Sequence, residues 1–125
     1  MEEKIKQILM LAKRKAEIDK TRNWSRGSET FFEEIKKEIE EAEIEAKNQK
    51  QIFLEDELGD IFWDYMNLLV NLENEKKINF EKVFERSTKK YAQRINAIED
   101  NISWDKIKKI QKEELKKEQA QLDQN

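Results

Sequence analysis

Two pairs of acids stand three residues apart: Glu38 with Glu41, and Glu57 with Asp60. Three residues is close to one helical turn, so each pair sets two carboxylates on one face of a helix. Carboxylates placed this way can hold a hard cation or move a proton. With 28 Asp and Glu among 125 residues, pairs at this spacing also arise by chance, and a single pair reads first as a solvated face. The neighbouring positions say more. Glu34, Glu38, Glu41 and Glu45 share one narrow arc beside an apolar stripe of Ile35, Ile39, Ala42 and Ala46, and no Lys or Arg of that segment enters the arc. Glu57, Asp60, Asp64, Asn67 and Asn71 form a second polar stripe, flanking a face of Leu54, Leu58, Ile61, Tyr65 and Leu72. Like charges at these spacings cost a helix roughly 0.2–0.5 kcal/mol per pair. Acids beside a core face also risk desolvation. A divalent cation held between two facing stripes would offset both costs. With oxygen as the sole donor the ion is a hard one, Mg2+ or Mn2+.

The chain has no His, no Cys and no Pro, and only Gly27 and Gly59 as glycines. This removes the usual base near neutral pH, thiolate metal sites, disulfides and any Gly-rich phosphate loop. Lys and Arg number 25 against 28 acids, a net charge of -3. A near-balance of this kind gives no basic field for nucleic acid. No apolar run is long enough to span a membrane, and the first fifteen residues lack a signal-peptide core. The expectation is a soluble cytoplasmic protein without nucleic-acid or membrane partners.

The acids need helices to hold them, and the composition supplies them. Glu, Lys, Leu, Ile and Ala dominate, and helix breakers are nearly absent. Periodicity predicts a first helix over 2–20, with Ile5, Ile8, Leu9, Ala12 and Ala16 inward. A loop over 21–27 follows. Ser28 or Thr30 can cap a second helix ending near Lys47, and Thr30 with Glu33 has capping-box spacing. A turn at 48–51 leads to a third helix over about 53–73. Beyond Ile61 its apolar residues cover most of the circumference, as in a central or interface helix. Gly59, interior to this helix, suggests close helix approach or ligand access. Asn79 can cap a fourth helix with Val83, Phe84, Tyr91, Ile95 and Ile98 inward, and Ser103 a thinly apolar fifth from Trp104 to about Leu122. The predicted fold is all-α, an antiparallel bundle of four to five helices. The domain is expected over 1–104, with a charged helix or tail over 105–125.

The run from Phe31 to Leu72, containing KEIEEAEIEA and LEDELGDIFWDYMNLL, resembles the MazG-like nucleotide pyrophosphohydrolases of the all-α NTP pyrophosphatase superfamily. Their signature is EExxE, a spacer, then ExxD. Glu57-Leu-Gly-Asp60 matches the second half and Glu38-Ile-Glu-Glu41 the inner part of the first, while Lys37 stands where the family usually has its first Glu. The resemblance extends over roughly 24–98. It implies hydrolysis of a nucleoside triphosphate between the α and β phosphorus, giving a monophosphate and pyrophosphate. It implies Mg2+, or Mn2+, held by Glu38, Glu41, Glu57 and Asp60. Glu41 or Glu38 would take the proton from water, and house-cleaning of non-standard nucleotides would be a natural role.

Further binding candidates are basic, aromatic and amide side chains. Lys89, Lys90 and Arg94 lie on the fourth helix around Tyr91, and the family sets basic residues near the phosphates in a comparable helix. Solvated surface cations are the competing reading. Trp24, between Arg22 and Arg26, can stack on a base or plug the core edge. Asn67, on the acidic stripe, can contact ribose or base or be a plain surface amide. Trp63 points away from the acids, toward core or a subunit interface. The interleaved Lys and Glu of 106–117 read as a solvated helix. The apolar third helix exceeds what one small bundle can cover, so a homodimer or homotetramer is expected. The rival to an enzyme is a non-enzymatic helical interaction or assembly module.

Overall fold

A computed structural model describes residues 1–125. The chain is all-α, with α1 (Glu2–Asp19), α2 (Ser28–Lys47), α3 (Gln51–Asn74), α4 (Phe80–Glu99) and α5 (Trp104–Asp123). It divides into two compact units, Met1–Phe80 and Glu81–Asn125. Residue 104, the expected end of the domain, lies in the second unit.

In the first unit α3 is the central helix and packs against both α2 and α1. Its buried residues include Met66, Leu68, Leu69 and Val70, and α1 meets it with the small buried Ala12 and Ala16. Phe31 of α2 is buried almost completely. The connection of α2 to α3 is three residues, with Gln49 at φ 57°, so the two helices form a tight hairpin. That hairpin brings the two acidic segments together.

The start of α2 is capped from an unexpected direction. Neither Ser28 nor Thr30 caps the helix through its own side chain. Ser28 donates its backbone N–H and its hydroxyl to the Glu75 carboxylate just past the end of α3, at 2.9 and 2.8 Å. Thr30 Oγ1 accepts from the Arg26 backbone N–H at 2.7 Å. Free N–H groups at a helix start favour an anion, and here it comes from 47 residues away. Gly27 precedes Ser28 with φ 70°, and a Cβ there would stand 2.7 Å from Glu75 Oε2. The left-handed backbone requires glycine, and a Cβ would also press on the Glu75 carboxylate that Ser28 holds.

The polar and apolar stripes exchange the roles the sequence suggests. On α2, Ala42 is buried and Ile35 half-buried, but Ile39 and Ala46 are exposed. On α3, Leu58 and Tyr65 are exposed, whereas Asp64, Asn67 and Asn71 are buried. Within this unit, the helices therefore leave much of their apolar face outside and bury part of the acid and amide stripe. Gly59 also differs: a Cβ there would meet nothing within 4 Å, so close helix packing is not its reason.

In the second unit α4 and α5 form a helical hairpin held by long side chains. Ser103 caps α5 as expected, its Oγ accepting from the Lys106 N–H at 3.1 Å. The Arg86 guanidinium donates to both Glu118 oxygens, at 3.0 and 2.6 Å. The residues expected inward on α4 are mostly outside: Phe84, Tyr91, Ile95 and Ile98 are exposed, and Arg94, Ala97 and Gln111 are the buried ones. Two helices alone offer too narrow a seam to cover a full apolar face.

Candidate metal centre

Glu38 and Glu41 project from α2 and Glu57 from α3. Each offers a carboxylate oxygen, and the three oxygens lie within 4.8 Å of one another. A second group meets the same limit: Asp56, Glu57 and Asp60. Glu57 belongs to both and joins them. All four acids singled out by spacing therefore take part in one continuous cluster. Asp56 is the addition. It sits outside the narrow stripe, but its i,i+4 relation to Asp60 is a signal readable in the sequence.

The electrostatics are those of anions short of a partner. Glu38 Oε2 and Glu57 Oε2 are buried and accept no hydrogen bond. Burial, then hydrogen bonding with Glu57 and the charges of Glu41 and Asp60, push Glu38 up to about 8. For Glu57 the hydrogen bond with Glu38 pulls down, but burial, Glu41 and Asp60 raise it, and the net direction is up. Asp60 is raised by burial and by the charges of Asp56 and Glu41. One proton shared between Glu38 and Glu57 would relieve part of this strain. A divalent cation relieves more of it, because it needs several acceptor oxygens and no donor. The donor set fits a hard ion: oxygen only, from two helices, with two oxygens unpartnered.

Residues 26–98 match the MazG nucleotide pyrophosphohydrolase domain. The chain belongs to this family. The matched span holds every acid of the cluster. MazG proteins act on nucleoside triphosphates and generally depend on a divalent metal. No curated protein and no solved structure matches the chain.

The other candidates of this MazG chain are more scattered. Trp24 is exposed in the loop before α2, its ring edge against Phe31 at 6.0 Å and Lys15 Nζ 4.0 Å from its ring centre. Lys15 is also bonded to Asp19 at 2.6 Å, so a base stacking on that face would have to displace a held cation. Asn67 is fully buried and donates through Nδ2 to the Trp63 carbonyl at 2.8 Å. Lys37, the departure from the family signature, is exposed with its Nζ 3.6 Å from Glu34.

Lys89, Lys90 and Arg94 stand on α4 in the second unit. Lys89 is exposed, and Lys90 is half-buried. Arg94 is buried; its Nε donates to Gln111 Oε1 at 2.8 Å, and its guanidinium carbon lies 5.3 and 5.0 Å from the Tyr91 and Trp104 ring centres. A groove of about 430 Å³ in this unit is lined by Lys89, Lys90, Tyr91, Gln111 and Leu115, among others, and shares no residue with the acid cluster. Spacing alone could not separate Arg94 from its exposed neighbours, because its burial depends on Gln111 and Trp104 of another helix.

Proposed function

We propose that this protein hydrolyses nucleoside triphosphates between the α and β phosphorus, releasing a nucleoside monophosphate and pyrophosphate. The observation that carries the reading is the convergence of Glu38, Glu41 and Glu57 from two helices, with buried oxygens that nothing in the chain satisfies. Glu38, Glu41, Glu57 and Asp60 would hold Mg2+ or Mn2+, and Asp56 completes the set. When bound, such ions neutralise the polyphosphate and acidify water. Without them the cluster repels a triphosphate, since both carry only negative charge.

The chain's own carboxylates do two further things. They would hold the ions at the α2–α3 hairpin, and one of them, Glu41 or Glu38, accepts the proton of the attacking water. Trp24 offers an exposed ring for a base. Lys89 and Lys90, in the second unit, are proposed as phosphate contacts on the family resemblance alone. Asn67 and Arg94, both buried, would act through what they hold in place. Removal of non-standard nucleotides in the cytoplasm is the role this chemistry suits.

A homodimer or homotetramer belongs to the same reading. Phe32, Ile39, Leu58 and Tyr65 are exposed on α2 and α3, and a second copy would cover them. The catalytic reading is tested with a panel of common and modified triphosphates, Mg2+ or Mn2+, and separation of the products. Monophosphate and pyrophosphate in equal amounts are expected. Diphosphate with orthophosphate, or no product from any substrate, overturns it.

A further inference from the structure

The acid stripe of α3 does not stop at Asp60. One turn on stands Asp64, 7 % exposed, and nearly another turn on Asn67, 0 % exposed. Asp64 Oδ2 and Asn67 Oδ1 are both buried and accept no hydrogen bond. Asn67 has its amide group fixed, because Nδ2 is committed to the Trp63 carbonyl at 2.8 Å, and this leaves Oδ1 as a pure acceptor. The charges of Glu34, on α2, and of Asp60 act on Asp64 as well. The cation beside Glu34 is Lys37, exposed, with its Nζ 3.6 Å from Oε1. No basic side chain pairs with Asp64.

Buried acceptors are normally satisfied, and an unpaired buried carboxylate is costly. Two such oxygens on one face of α3, with the charges of Glu34 and Asp60 acting on Asp64, call for a species that takes oxygen donors and carries positive charge. A protein cation is absent, and a nucleotide is too large for fully buried atoms. A small, hard ion fits. We propose that Glu34, Asp64 and Asn67 Oδ1 form a second divalent-cation site, distinct from the Glu38–Glu41–Glu57–Asp60 cluster and one helical turn farther along α3. It holds α2 against the polar stripe of α3. It goes beyond the pyrophosphohydrolase reading but rests on the same hairpin.

The test is Mn2+ equilibrium dialysis at saturating metal, without nucleotide, on the full chain and on Asp64→Asn, Asn67→Leu and Glu38→Gln, with circular dichroism confirming that each is folded. Wild type is expected to bind one more Mn2+ per chain than either Asp64→Asn or Asn67→Leu. Asn67→Leu removes no charge, so its loss cannot be a mere weakening of the field. Full stoichiometry in either variant overturns the second site and leaves a proton or water as the partner of Asp64. Glu38→Gln is expected to keep this ion while losing metal from the other cluster. If Glu38→Gln loses none while Asp64→Asn loses one, the second site stands and the catalytic reading falls. A wild-type chain that binds no Mn2+ overturns both.

Discussion

Glu38 and Glu57, nineteen positions apart and on different helices, bring carboxylate oxygens within 4.8 Å of each other while the Oε2 of each stays buried without a partner. Two anions in that position oppose folding. Folding keeps them together because the α2–α3 hairpin is fixed elsewhere, by its three-residue turn, by the buried Phe31 and Met66, and by Ser28 on Glu75. The cost is the one that the proposed metal would offset.

That cost has a pH signature. Glu38 is raised to about 8 and Asp64 to about 6, so the folded metal-free chain binds more protons than the unfolded chain between the ordinary carboxylate range and those values. Stability is favoured below that range and falls as pH rises through about 6 and then about 8. Urea midpoints in chelator should drop from pH 6 to pH 8.5, and Glu38→Gln should flatten the drop. Saturating Mg2+ should reverse it, because the metal takes the deprotonated form. A wild-type midpoint in chelator that rises over this interval contradicts the account.

Gly59 separates local cost from ligand access. A Cβ there meets nothing, and the residue is interior to α3, so Gly59→Ala should stabilise the metal-free protein by about 0.5–1 kcal/mol. Thermal melts check this. If turnover falls while stability rises, glycine is kept for the space it leaves beside the cluster.

The opposite sign is expected at Gly27. Its φ is 70°, and an added Cβ would stand 2.7 Å from the Glu75 oxygen, so Gly27→Ala should destabilise by roughly 1–3 kcal/mol. Glu75→Ala should cost a comparable roughly 1–3 kcal/mol, since it strips the partner from two Ser28 donors. The double variant should cost less than the sum, because both act on one contact. Strict additivity in urea denaturation would show that they are independent.

Arg94 should behave as a structural cation. Arg94→Lys keeps the charge but loses the guanidinium beside the Tyr91 and Trp104 rings and the bond to Gln111, at a cost of about 1–3 kcal/mol. Trp104 fluorescence should shift in the folded variant. An unchanged melt and spectrum would return Arg94 to the exposed, substrate-facing set.

Helix identity and the grouping of the acids were legible because both rest on local rules. Spacing places Glu38 with Glu41 and Glu57 with Asp60 whatever the partner helix does, and the polar stretch around Asn48 marks the hairpin that joins them. The facing of the helices was not legible. Ile39, Leu58 and Tyr65 look like core by periodicity, yet they are exposed, while Asp64, on the stripe flanking that face, and Asn67, which could read as a plain surface amide, are buried. A hydrophobic stripe cannot say whether it is covered by its own chain or by another. The cap of α2 was hidden for a related reason: Ser28 and Thr30 invite a local cap, and the anion that serves comes from beyond α3.

The central claim is that this acid cluster binds a triphosphate only through divalent ions. The most direct measurement is calorimetric titration of an α,β-methylene nucleoside triphosphate into the protein, with Mg2+ and with chelator, for wild type and for Glu57→Gln. Binding by wild type in Mg2+, none in chelator and none by Glu57→Gln in either is the predicted result. Binding that survives chelation, or that Glu57→Gln leaves intact, would contradict it.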